Sequence, residues 1–163
     1  MNKINQPTSD KKTLRAIVQE KIAHMSIDEK DRESVNVCLQ ITKNLAKKNF
    51  KTIILYHAFD DEIDVSRVAL WAEQVWKEIL FIPQSTEVFE IPENSVLIVP
   101  GRAFTREWKR IGRGSGYYDT LLEKYKNTST IWVCFRCQVF GDIPEESWDK
   151  RVDEVVFAGN ILE

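Results

Sequence analysis

Three short apolar runs constrain this chain more than any other feature: residues 51–57 (KTIILYH), 95–99 (SVLIV) and 130–135 (TIWVCF). None alternates polar with apolar residues, as a strand with one wet face would. Strands of this kind are buried on both faces, and a parallel sheet between layers of helices is the arrangement that buries them.

The stretches between them carry helical signals. After Asp10, a plausible N-cap, apolar residues recur at Leu14, Ile17, Val18, Ile22 and Met25. Ser26-Ile27-Asp28-Glu29 fits a capping box and opens a second helix, with Val35, Cys38, Leu39, Thr42 and Leu45 as its expected inner positions. An acidic loop, Asp60-Asp61-Glu62, leads to a third helix expected to bury Val65, Val68, Ala72, Val75 and Trp76. Residues 78–82 read as a short strand closed by Pro83, and 88–91 and 155–157 as further strands. A fourth helix is expected from Gly116 or Tyr117 to Lys126. The pattern predicts one α/β domain over residues 11–163 after a flexible segment at 1–10. Its architecture is three-layer α/β/α with a mostly parallel, mixed sheet, and ligands are expected beyond the carboxyl ends of the strands.

Composition removes several classes of function. The 23 basic and 25 acidic side chains leave a formal charge of -2, which argues against a general nucleic-acid binder. No apolar run approaches the roughly 20 residues of a membrane span, and the polar start lacks a signal-peptide core, so a cytoplasmic protein is expected. Cys134 and Cys137 form a lone CxxC in a strand-like run, where residues three apart point to opposite faces. With only His24 and His57 as further ligands, the cysteines read as packed thiols.

Chemistry concentrates in residues 100–119, PGRAFTREWKRIGRGSGYYD. Gly112, Gly114 and Gly116 permit sharp turns and close approach to a ligand. The backbone N–H groups of the helix that follows are free to bind an anion. Arg102, Arg106, Lys109, Arg110 and Arg113 lie nearby, offset locally by Glu107 alone. Donors, flexibility and positive charge are what a phosphate cradle needs, although a glycine-rich loop before a helix is often only a turn. The spacing matches neither GxxxxGK[ST] nor GxGxxG. Asp119, in the first helical turn, could hold Mg²⁺ beside phosphates or simply complement the helix dipole. Tyr117 and Tyr118 cannot share a helix face, so one is expected in the core and the other toward a ligand.

The segment Arg110-Ile111-Gly112-Arg113-Gly114-Ser115-Gly116-Tyr117-Tyr118-Asp119, with Val99-Pro100-Gly101-Arg102-Ala103-Phe104 before it, resembles the signature of the 5-formyltetrahydrofolate cyclo-ligase family. Lys11-Lys12-Thr13-Leu14-Arg15, Tyr56 with Asp61-Glu62-Ile63-Asp64, Phe135-Arg136-Cys137-Gln138, Pro144, Trp148-Asp149 and Val152-Asp153 resemble its other landmarks in order. The resemblance implies ATP- and Mg²⁺-dependent cyclisation of 5-formyltetrahydrofolate to 5,10-methenyltetrahydrofolate by a monomer. It implies that Lys11, Arg15, Arg110, Gly112, Arg113, Gly114, Ser115, Gly116, Tyr118 and Asp119 bind ATP. Tyr56, Glu62 and Tyr117 would hold the reduced folate, Arg110 and Tyr117 would act in catalysis, and Asp119 and Asp149 would hold the metal.

The chain departs from the family pattern in three places. Only Gln84 to Asn94 separates Pro83 from Ser95, where relatives carry a longer insert that helps to enclose the folate. Thr105 and Trp108 replace an aspartate and a glycine. Ser115 stands where relatives place lysine or glycine. Two alternatives follow: a relative that binds a nucleotide or pterin without closing the ring, and a small phosphate- or RNA-binding module.

Overall fold

The computed structural model describes residues 10–83, 89–147, 149 and 152–159. Residues 1–9 of the flexible segment expected at 1–10, and Trp148, lie outside them. The first two helices begin as their caps dictate. Asp10 accepts from Thr13 N at 2.8 Å and opens α1, Lys11–Ala23. Ser26 and Glu29 exchange backbone bonds and open α2, Ile27–Leu45. After them come β1 (Thr52–Leu55), α3 (Ser66–Gln74), β2 (Glu78–Phe81) and β3 (Ser95–Pro100), then β4 (Ala103–Thr105) and β5 (Arg110–Ile111). The chain continues with α4 (Tyr117–Lys124), β6 (Ser129–Cys134), a 3-10 turn at Arg136–Gln138, β7 (Val139–Phe140) and β8 (Val155–Phe157).

The main sheet has the order β2-β1-β3-β6-β8, parallel throughout. Side chains alternate across it. Ile53, Leu55, Val96, Ile98, Ile131 and Val133 face a core built with Leu14, Val18, Ile22, Val37, Ile41 and Val68 of α1–α3. Ile54, Leu97, Val99, Trp132 and Cys134 face the opposite core, where Leu121 of α4 packs. This is the expected three-layer α/β/α fold, and each such buried aliphatic side chain contributes about 1.5–3 kcal/mol relative to exposure. From β1 the chain builds outward to β2, then returns to place β3 on the other side of β1. The crevice where strand order reverses therefore opens between the carboxyl ends of β1 and β3.

Several local expectations are corrected. The inner face of α2 is Ser34, Val37, Cys38, Ile41 and Leu45: Cys38 and Leu45 are buried as expected, Val35 and Thr42 are only partly buried, and Leu39 is 52% exposed. The inward Ser34, whose hydroxyl accepts from Asp64 N at 3.1 Å, disguised the true face. α3 ends at Gln74, so Val75 and Trp76 are exposed, and Trp76 turns the chain at φ 58°. Residues 89–91 form no strand, and 84–88 lie outside the described residues. The expected loop over 102–115 contains a hairpin. β4 pairs antiparallel with β5 and parallel with β7, making a second sheet of three strands. Cys137 leaves the strand for the 3-10 turn and packs its Sγ 3.8 Å from Met25 Sδ, while Cys134 faces the other core. Burial pushes both thiols up, Cys137 to about 11, which keeps them protonated packing groups.

Candidate functional site

The crevice between β1 and β3 is walled by the acidic loop. Tyr56, buried at the end of β1, donates its hydroxyl to Ile63 O at 2.7 Å and so ties the loop's far end to the sheet. Phe59 N donates to Glu62 Oε2 at 3.0 Å, which closes the loop on itself. Ala58, Phe59, Asp60, Asp61 and Arg113 line a cleft of about 510 Å³.

Across the crevice stands Arg102, directly after the Pro100-Gly101 turn. A Cβ on Gly101 would lie 2.4 Å from Phe104 Cζ, so the turn requires glycine. The Arg102 backbone is held on both sides: its N–H donates to Ile111 O at 2.7 Å, and its carbonyl accepts from Gln138 Nε2 at 3.0 Å. Its guanidinium, 10% exposed, reaches Asp61 Oδ2 at 2.6 Å. The other oxygen of Asp61 takes Arg113 Nη2 at 2.5 Å, and Arg113 Nε donates to Glu62 Oε1 at 2.9 Å. Burial alone would raise the Asp61 carboxyl, but the two guanidinium groups prevail and hold it below the usual carboxylate range.

The second half of the site is the glycine-rich loop and the start of α1. Arg15 donates Nε to Gly112 O at 2.8 Å, bringing two segments together across almost a hundred residues. Gly114 (φ 107°) and Gly116 (φ 69°) take left-handed conformations, and Gly116 leads into α4 without a side-chain cap. The first N–H groups of that helix stay available, apart from a long contact of Tyr117 N to Ser115 Oγ at 3.4 Å. Arg110 stacks on Trp132, 4.3 Å from the ring centroid, and pairs with Asp119. Lys11 bridges Glu146 and Asp149, each at 2.6 Å. Asp149 also accepts from Glu146 N and feels the charge of Arg110. Against the upward push of burial, these contacts leave its carboxyl lowered.

Both tyrosines of α4 are partly buried. Tyr118 packs edge-on against Tyr117 and Trp132, and burial raises its hydroxyl pKa, with Glu62 adding to the effect. Burial likewise raises Tyr117, whose hydroxyl has no hydrogen-bond partner. Among the described residues, the buried side-chain atoms left without one are Arg102 Nη1, Arg110 Nε and Tyr117 Oη. Arg102 Nη1 touches Asp61 as an ion pair but lacks hydrogen-bond geometry. All three are donors in one twenty-residue segment, so the site presents unmet demand for a ligand's acceptor atoms.

Arg110 pairs with Asp119 and its charge also reaches Asp149, and among the described residues no three acidic, histidine or cysteine side chains are grouped to hold a metal. Two carboxylates suit an ion that arrives with phosphate oxygens and water, as Mg²⁺ does, better than a cage made by protein alone.

Sequence reasoning singled out the loop, Lys11, Arg15, Arg110 and Glu62; the fold bonds Arg15 to Gly112 and pairs Arg110 with Asp119, Arg113 with Glu62 and Lys11 with Asp149. Sequence reasoning missed Asp61 as the shared partner of two arginines, Glu146 as a partner of Lys11, and Trp132 as the platform under Arg110. The acidic run 60–62 and the arginine after Pro-Gly were the available signals for the first. Trp132 gave none, because it sat in an ordinary buried strand. Trp108 lies elsewhere, 42% exposed, in a groove with Gln40, Lys43 and Val155. It adopts φ 71°, a conformation that disfavours any residue with a Cβ by about 1–2 kcal/mol, and its carbonyl accepts from Val152 N at 3.1 Å.

Residues 82–158 match the sequence model of the 5-formyltetrahydrofolate cyclo-ligase family. The 5-formyltetrahydrofolate cyclo-ligase of Mus musculus is 24% identical over 91% of this chain and 94% of its own. The structure of a 5,10-methenyltetrahydrofolate synthetase from Mycoplasma pneumoniae superposes with a TM-score of 0.79 at 24% identity, covering 91% of this chain and 98% of that one. The Aquifex aeolicus 5,10-methenyltetrahydrofolate synthetase superposes with a TM-score of 0.73 at 27% identity, covering 90% and 88%.

Proposed function

We propose that the chain is a member of the 5-formyltetrahydrofolate cyclo-ligase family and that it cyclises 5-formyltetrahydrofolate to 5,10-methenyltetrahydrofolate, consuming MgATP and releasing ADP and phosphate; the family match over residues 82–158 and the similarity to named cyclo-ligases support this reading. The same proposal has it act as a monomer in the cytoplasm. Among the described residues no helix is long and apolar enough to cross a membrane. The observation that carries this reading is Arg15 bonded to Gly112 O in the loop that runs to Gly116 and an uncapped helix N-terminus, with Arg110 paired to Asp119 in the first turn of that helix and Lys11 paired to Asp149. That arrangement is suited to a polyphosphate.

In this reading the formyl oxygen attacks the γ-phosphorus and ADP leaves. The folate N10 then adds to the activated carbon, its proton is lost, and phosphate departs. The protein has to position two substrates and neutralise charge, and no covalent nucleophile is needed. Arg110 and Arg113 lie on the transferring phosphate, and Lys11 and Arg15 on the rest of the chain of phosphates. The backbone of Gly112, Gly114, Ser115 and Gly116 cradles it. Asp119 and Asp149 would hold Mg²⁺ once released from the cations that now pair with them, and the ion would supply charge neutralisation at the phosphates. Tyr118 shapes the nucleotide side from its packed position. On the folate side Glu62 takes donors of the pterin ring, and Tyr117 offers its unpartnered hydroxyl near the reacting formyl group. Tyr56 serves the folate indirectly, through its bond to Ile63 O that holds the acidic loop.

The test is to mix protein, ATP, Mg²⁺ and 5-formyltetrahydrofolate and follow methenyltetrahydrofolate by its near-ultraviolet absorbance. Product should require all four components. Absence of product from protein that still binds MgATP would show that the nucleotide half is right and the second substrate is something else.

A further inference from the structure

We propose that Asp61 couples the two substrate subsites. With both subsites empty, Asp61 and Glu62 hold Arg113 on the folate side, and arrival of the nucleotide's phosphates draws Arg113 away and uncovers Glu62. The inference rests on the roles proposed above for Arg113 and Glu62.

Among the described residues, the ion pairs and hydrogen bonds of the Arg113 guanidinium lie on the folate side. Nη2 meets Asp61 Oδ1 at 2.5 Å and Glu62 Oε1 at 2.9 Å, Nε donates to Glu62 at 2.9 Å, and the group sits 4.9 Å from the Phe59 ring centroid. In this position it blocks the residue it touches: the Glu62 side chain is only 7% exposed, and Arg113 is 38% exposed above it. A carboxylate so covered, with one oxygen given to Arg113 and the other to Phe59 N, cannot also receive the donors of a pterin ring.

The latch is built to open without loosening the loop. Asp61 divides its two oxygens between two arginines. Arg102 takes one, and is itself fixed by Ile111 O and Gln138. Arg113 takes the other and is flanked by Gly112 and Gly114, the latter at φ 107°, so its backbone has room to swing. When Arg113 moves to the phosphates, Arg102 still anchors Asp61, and Glu62 is left charged and exposed beside the cleft. Nucleotide binding thereby favours folate binding, and by linkage folate favours nucleotide to the same extent.

Calorimetric titration of 5-formyltetrahydrofolate, with and without a saturating non-hydrolysable ATP analogue and Mg²⁺, measures the coupling. The analogue should tighten folate binding at least about fivefold, and folate should tighten the analogue by the same factor. In Asp61→Asn the factor should fall below about twofold, with folate bound at least as well as by wild type when no nucleotide is present. Should that variant fail to fold, Phe59→Leu removes the exposed ring beside Arg113 and should lower the factor as well. Equal folate affinity with and without the analogue, each ligand binding on its own, would overturn the coupling and leave the proposed activity standing. Undiminished coupling in the folded variant would remove Asp61 from it. Failure of the analogue to bind at all would overturn the proposed activity, and the coupling with it.

Discussion

Arg110 and Arg113 are three residues apart on one loop, carry the same charge and each pair with a carboxylate, yet their surroundings differ. Arg110 belongs to β5, its side chain is 5% exposed, and Trp132 of the central sheet lies flat beneath it. Arg113 lies between glycines, is 38% exposed, and rests on a loop through ion pairs and a contact with the half-exposed Phe59 ring. The first guanidinium is pre-organised by the fold and needs no rearrangement to meet a developing charge. The second is held by partners that a ligand can replace. The proposed two-substrate site would use both kinds of cation.

The largest test of this contrast is Arg110→Ala. If the buried arginine stabilises the transferring phosphate, turnover should fall by at least about 10²–10³-fold. Arg110→Lys should recover little, because a lysine keeps the charge but neither stacks on Trp132 in the same way nor offers a fork of donors. Steady-state kinetics on protein whose circular dichroism matches wild type decides the matter, and near-normal turnover in Arg110→Ala would remove it from the chemistry.

Arg113→Ala should act more weakly and on a different constant. Losing one mobile phosphate ligand should raise the KM for ATP about tenfold. The melting temperature should change little, since an exposed ion pair contributes about 0–1 kcal/mol. A thermal loss as large as that of Arg110→Ala would show that the two arginines are equally structural, and the contrast would collapse.

The same contrast explains what the sequence made legible. The main sheet was written in three apolar runs, since strands buried on both faces leave few residue choices, and the caps at Asp10 and Ser26 located two helices through local hydrogen bonds. The glycines and cations of residues 110–116 marked the candidate phosphate loop, because flexibility and charge are properties of residue types. Partnership is a property of the fold. That Asp61 would serve two arginines depends on strand order bringing the β1 loop to the end of β3, and Lys11 meets Asp149 across 138 positions. The hairpin of β4 and β5 stayed hidden because strands of three and two residues give too few positions to reveal a period.

The smallest effect tests how firmly the acidic wall is held. Asp61 has a folded-state carboxyl below its ordinary value, because Arg102 and Arg113 favour the charged form. A depressed carboxyl stabilises the fold at pH above its unfolded value, and that contribution is lost as pH falls through the folded one. The wild-type melting temperature should therefore drop between about pH 5 and about pH 3, with Asp61 contributing on the order of one or two degrees of the drop after allowance for solvent screening. Asp61→Asn has no proton to gain there, so its melting temperature should fall by correspondingly less over the same interval. Asp149, also lowered against burial by Lys11 and Glu146 N, should still supply its own share in that variant, so the acid sensitivity should be reduced and not abolished. A variant as acid-sensitive as wild type would mean that the two guanidinium groups do not grip Asp61 in solution, and Arg113 would then be free before any nucleotide arrives.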